Sequence, residues 1–143
     1  MEPELRREII LDNYTNPENR GTVEDETYIK TNTNNSSCID NIDLWVKIED
    51  DIIKDIKFNG EACAISTAST SIMTKELIGM NIKDAEEYSK SFDAMINEGE
   101  YDASIMGEAL VFDEIYKQAN RKTCATLPYK GILKAIEEYK SNK

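Results

Sequence analysis

The sequence predicts an α+β domain: a small antiparallel three-stranded sheet packed against helices, with residues 1–143 forming one unit. Two observations carry this prediction. Between Ile42 and Phe58 apolar residues recur at alternate positions, the period of half-buried strands. Beyond Cys63 they recur every three to four, the period of helices. Strand-forming sequence followed by a long helical remainder is the pattern of an α+β fold. A chain of 143 residues is long enough to bury a real core, and no repeat or linker divides it.

Each element follows in order. Leu5, Ile9, Ile10 and Tyr14 are helically spaced, which predicts a first helix over 4–14 that ends in the turn-forming run Asn16-Pro17-Glu18-Asn19-Arg20-Gly21. Tyr28–Lys30 is a candidate third strand, and the polar run Thr31–Ser37 reads as an exposed loop that delivers Cys38. Ile42, Leu44, Val46 and Ile48 alternate with Asp43, Trp45 and Lys47 as a half-buried strand, with Trp45 expected against the first helix. Asp50-Asp51 reads as a turn, Ile52–Phe58 as the returning strand, and Gly60 as the end of the sheet. A helix is expected from near Cys63, carrying Ile65, Ala68, Ile72, Met73 and Leu77, with the hydroxyl run Ser66–Thr74 as a polar face. A second spans about 81–97, with Asn81 as N-cap, Asp84 in the first turn and Gly99 closing it. A short helix over 108–119 and a last one over 125–139 complete the chain.

The net charge of −11 opposes binding to nucleic-acid phosphates or anionic lipid, so neither nucleic acid nor membrane is an expected partner. A protein with a positive patch suits it better, although the same charge also serves solubility alone. No apolar run approaches the roughly 18 residues of a spanning helix, and no signal peptide is visible, so a cytoplasmic location is expected. Histidine is absent, which removes Ser-His-Asp and Cys-His catalysis and His-ligated metal from this chain. An odd count of three cysteines argues against a disulfide framework.

Cys63 lies 25 positions after Cys38, and Cys124 a further 61 on, so no Cys-x-x-Cys pair announces a metal. Spacing alone leaves open that the three are small buried hydrophobes. Their settings point to chemistry: Cys38 at a loop-to-strand junction, Cys63 at a strand-to-helix junction, Cys124 near the start of the last helix. A thiol at a helix N-terminus feels the positive end of the dipole, which favours the thiolate, the form that binds metal and attacks sulfur. Three thiolates need a fourth ligand for tetrahedral zinc, and Asp40, two residues after Cys38, is the natural candidate in a chain without histidine.

Four segments resemble the SufU/IscU/NifU-N iron–sulfur cluster assembly proteins, most closely the SufU branch. They are Tyr14–Gly21, Asn35-Ser36-Ser37-Cys38-Ile39-Asp40, Phe58–Ser66 and Lys122-Thr123-Cys124-Ala125-Thr126-Leu127, joined by Tyr101–Ile105 in the longer middle region of SufU-type chains. The resemblance implies a SufU/IscU-like fold with Cys38, Asp40, Cys63 and Cys124 as ligands of Zn2+. It further implies that a histidine of a SufS-like cysteine desulfurase displaces Cys38, which then accepts sulfur as a persulfide for downstream Fe–S assembly proteins. Such a chain is a sulfurtransferase-type relay rather than a self-standing enzyme. Arg121 matches a basic position of SufU-type sequences and is a candidate contact to the partner, or a solvated surface arginine. Two positions depart from the family pattern: Ser36 replaces its proline and Ile39 its glycine. The Leu-Pro-Pro-Val-Lys segment of IscU-type chains is missing, and Thr123 stands where they carry histidine. Two other readings use the same residues. One is a scaffold holding Fe or a [2Fe-2S] cluster; the other is an adaptor module with structural zinc only.

Overall fold

The computed structural model describes residues 1–35 and 39–142. Helix α1 (Pro3–Thr15) precedes strands β1 (Ile29–Asn34), β2 (Asn41–Glu49) and β3 (Ile52–Glu61), which form one antiparallel sheet in the order β1-β2-β3. Helices α2 (Ala64–Leu77), α3 (Ile82–Ile96) and α4 (Ala103–Met106) follow, then two 3-10 turns (Gly107–Phe112 and Ile115–Lys117) and α5 (Ala119–Ser141). This is the expected α+β architecture.

The β2–β3 hairpin forms because Asp50 and Asp51 both take left-handed conformations, φ 53° and 63°, matching the twist of the two strands. Ile42, Leu44, Val46 and Ile48 of β2 face the core beside Ile53, Ile56 and Phe58 of β3. Gly60 does not end the sheet. It is inside β3 at φ +135°, and a Cβ there would collide with the Asn41 carbonyl oxygen, so only glycine lets the two strands close beside Asp40. Nor is Thr31–Asn34 a loop: it pairs with Asn41–Leu44 as β1, and Thr31 Oγ1 donates to the Gly131 carbonyl of α5 at 3.1 Å. Trp45 is buried on the opposite face, where the Lys30 ammonium sits 5.4 Å from its ring centre, while α1 packs on α2 and the first 3-10 turn. The segment 21–28 passes from the free edge of β3, where Arg20 bridges to Phe58, to β1 at the other edge, and Tyr28 reaches Asp55 with a 2.6 Å bond.

On the core face, α2 is the central helix. Its hydroxyl run is not a solvated face: Ser66, Thr67, Ser69, Thr70, Ser71 and Thr74 are all buried. Their partners are groups on neighbouring segments or the preceding turn. Ser69 Oγ donates to the Ala125 carbonyl at 2.6 Å, Ser71 Oγ to Asn13 Oδ1 at 2.8 Å, and Thr70 Oγ1 back to the Ser66 carbonyl at 2.7 Å.

Helix α1 buries Ile9 and Ile10 in part, while Leu5 and Tyr14 of its expected stripe are exposed. Helix α3 begins at Asn81, whose side chain accepts from Asp84 N. It ends through Glu98 at φ 62°, with Gly99 N donating to the Ala94 carbonyl at 2.7 Å, so the left-handed residue is Glu98 and not Gly99. The helix expected over 108–119 is broken into the two 3-10 turns, and α5 starts at Ala119, earlier than expected. Among the described residues no helix is long and apolar enough to cross a membrane.

Candidate metal centre

The junctions of β2, β3, α2 and α5 bring Asp40, Cys63 and Cys124 together, with one potential ligand atom of each within 4.8 Å of the others. Asp40 directly precedes β2, and its carbonyl accepts from Asn35 N at 2.9 Å, which ties the ends of the intervening segment. Cys63 is the N-cap of α2: its sulfur accepts from Ser66 N at 3.4 Å. Cys124 is the sixth residue of α5 and is buried, with its thiol 3.7 Å from the Asn120 carbonyl. Cys38 lies outside the described residues; in sequence it is two positions before Asp40. Among the described residues, Cys63 and Cys124 are free cysteines.

Asp40 is 1% exposed yet well satisfied. Its Oδ1 accepts from Cys63 N at 2.8 Å, its Oδ2 from Ser66 Oγ at 2.7 Å, and Cys63 Sγ lies 3.9 Å from Oδ2. Burial pushes its carboxyl up, but the hydrogen bonds from Cys63, Ser66 and Cys124 outweigh burial and hold it below the ordinary carboxylate range. Cys124 goes the other way. Burial, reinforced by the adjoining Cys63 and Asp40, pushes its thiol up to about 12. The dipole argument therefore fails for Cys124, which lies past the first turn of α5, beyond the reach of the helix end. Holding Cys124 as a thiolate beside the Asp40 carboxylate would take a cation at this point; without one it keeps its proton.

The donor set fits zinc. Tetrahedral zinc, about 2.3 Å from sulfur and about 2.0 Å from oxygen, spaces its ligand atoms roughly 3.5–3.8 Å apart. The present spread, up to 4.8 Å, is within a small side-chain adjustment of that. Iron would accept the same sulfurs.

The sequence profile of the NifU-like N-terminal domain matches residues 5–143. The chain belongs to that family. The resemblance carried by the four motifs is thereby borne out. Among its relatives is the zinc-dependent sulfurtransferase SufU of Bacillus subtilis strain 168, 41% identical over 92% of this chain and 89% of SufU. Another is the iron–sulfur cluster assembly scaffold protein IscU of Thermotoga maritima, 30% identical over 92% of each. Its fold also matches the crystal structure of a candidate SUF-system scaffold protein, FiSufU, from Fervidobacterium islandicum AW-1. The TM-score is 0.86 at 30% identity, covering 94% of this chain and 99% of that one.

Arg121 is in the first turn of α5, three residues before Cys124 and partly exposed, and it pairs with no acidic side chain among the described residues. One residue at the centre was missed as functional: Ser66, assigned to a polar helix face. Its spacing of three from the N-cap Cys63 was the available signal, since that interval brings residues at the start of a helix together.

Proposed function

We propose that this protein acts in iron–sulfur cluster biogenesis as a zinc-dependent sulfur acceptor, taking persulfide sulfur from a cysteine desulfurase on Cys38. The observation that carries the reading is the convergence of Asp40, Cys63 and Cys124 in a chain without histidine. The name of the Bacillus subtilis relative supports the choice of zinc and of sulfur transfer.

In this reading Cys38, Asp40, Cys63 and Cys124 hold the metal. Bound zinc would supply positive charge that keeps clustered thiols deprotonated and ordered. Asp40 is fixed by Cys63 N and Ser66 Oγ, so it enters the centre already oriented. Cys38 is the acceptor. Its thiolate attacks the outer sulfur of the desulfurase persulfide, a new sulfur–sulfur bond forms on Cys38, and the desulfurase cysteine leaves as thiolate with the electron pair of the broken bond. No external oxidant or reductant enters that transfer. Arg121, partly exposed one turn before Cys124, contacts the partner, and the net charge of −11 suits a desulfurase with a positive face.

Adding the purified protein to its desulfurase with cysteine and a reductant raises desulfurase turnover, and Cys38→Ala abolishes the rise. An unchanged rate with the wild-type chain, or full stimulation by Cys38→Ala, refutes the relay. The similarity to IscU of Thermotoga maritima favours a second reading, a scaffold for a [2Fe-2S] cluster. A coloured, reconstituted cluster that transfers to apo-ferredoxin, with no tightly held zinc, selects the scaffold.

A further inference from the structure

Ser66 touches all three of the converging residues. Its backbone N–H donates to Cys63 Sγ at 3.4 Å, and its Oγ lies 2.7 Å from Asp40 Oδ2 and 2.9 Å from the Cys124 carbonyl. The side chain has no exposure to solvent. The Cys124 carbonyl is available for a reason written in α5: the residue four positions on is Pro128, which has no N–H to complete the helical bond. A hydroxyl carries one proton and serves one of these two acceptors at a time. While Asp40 is an uncompensated anion, the proton belongs on the carboxylate, the stronger acceptor. The Cys124 carbonyl stays within 2.9 Å as a second acceptor.

Building on the reading of Asp40, Cys63 and Cys124 as metal ligands, we propose that Ser66 is a positioning residue of the centre. Its hydroxyl aims the Asp40 carboxylate at the two sulfurs, and Pro128 provides the bare Cys124 carbonyl as its alternative acceptor. The buried hydroxyl thus couples the carboxylate ligand to the helix that carries Cys124.

The test separates orientation of the ligand from support of the helix. Zinc affinity is measured by competition with a chromophoric chelator, and the thermal midpoint is measured on the metal-free protein. Ser66→Ala lowers zinc affinity by about tenfold or more, the usual effect of losing a group that orients a ligand, and it also lowers the midpoint because the Asp40 carboxylate and the Cys124 carbonyl lose the donor they share. In Ser66→Ala/Pro128→Ala the amide of residue 128 again reaches that carbonyl. The midpoint recovers toward that of Pro128→Ala, while zinc affinity stays about tenfold or more below that of Pro128→Ala. Recovery of affinity along with the midpoint overturns the proposal, because Ser66 would then act only through the helix. An affinity in Ser66→Ala within about twofold of wild type overturns it as well, while leaving the zinc reading intact. A wild-type chain that takes up no zinc overturns the zinc reading and this inference together.

Discussion

Replacing Asp40 in the metal-free protein tests whether its carboxylate is held by the two bonds described. Asp40 accepts from Cys63 N at 2.8 Å and from Ser66 Oγ at 2.7 Å at a site 1% exposed. Hydrogen bonds to a charged group contribute about 1.5–3 kcal/mol each, so the gross loss in Asp40→Ala is about 3–6 kcal/mol. Two effects offset part of it. The cost of burying a charge disappears, and Ser66 keeps a partner by turning to the Cys124 carbonyl 2.9 Å away. Cys63 N–H alone is left bare, which leaves a net destabilisation of about 2–4 kcal/mol. Asp40→Asn behaves differently. The amide oxygen still accepts from Cys63 N, its NH2 donates to Ser66 Oγ, and the Ser66 proton goes to Cys124, so every group is paired. The cost is then about 1 kcal/mol, from exchanging charge-assisted bonds for neutral ones. Urea unfolding of the chelator-treated proteins reads this directly. With a slope near 2 kcal/mol/M, Asp40→Ala lowers the midpoint by roughly 1–2 M and Asp40→Asn by about 0.5 M. Equal midpoints for the two variants, or an unchanged midpoint for Asp40→Ala, refute the assigned hydrogen bonding.

Gly60→Ala destabilises by about 2 kcal/mol or more, since its Cβ meets backbone at a left-handed φ. Gly131→Ala costs less in the same denaturation assay, because its Cβ comes within 2.6 Å only of Leu44 Cδ1, the movable end of a side chain. Equal costs contradict the strand approach at Gly60. Phe92, stacked on Tyr129 at 4.2 Å and edge-on to Phe112, anchors the α3–α5 contact. Phe92→Ala lowers stability by about 3–5 kcal/mol, and calorimetry showing less than about 1 kcal/mol removes that anchor. The Tyr28 phenol is pushed up to about 12, first by its bond to Asp55 and then by burial. Its folded value exceeds the unfolded one, near 10, so the stability it adds is fully present below about pH 10 and is lost as pH rises through about 12. Tyr28→Phe removes that alkaline slope from unfolding curves and the corresponding step from a tyrosinate absorbance titration; an unaltered slope contradicts the Asp55 bond.

Strand β2, the Asp50-Asp51 turn and helix α3 were legible in the sequence because their signals are local: alternation, a turn-tolerant pair and a capping Asn81. Strand β1 was not. Its Thr and Asn residues carry little apolar period, and it is held by pairing with β2 and by Thr31 against α5. The same holds for the hydroxyls of α2. Read along the chain they form a polar face; in the fold Ser66, Ser69 and Ser71 bond to segments distant in sequence, at Asp40, Ala125 and Asn13, which no local period encodes. The 3-10 breaks after α4 were likewise unmarked by apolar spacing, since Ala109, Phe112 and Ile115 are buried whether the turn is α or 3-10.

By itself the sequence determined the family, the strand-then-helix order and the chemical types available at the centre: thiols and a carboxylate, with no imidazole in the chain. Residue types and short motifs are written in one dimension, so one dimension suffices to read them. The tertiary structure alone decided that Asp40, Cys63 and Cys124 meet, that Cys124 is a buried thiol past the first turn of its helix, and that Ser66 links all three. Those facts depend on strand closure at Gly60 and on how α5 crosses α2. Both are products of packing between segments far apart in the chain, where burial and pairing replace local preference as the deciding energies.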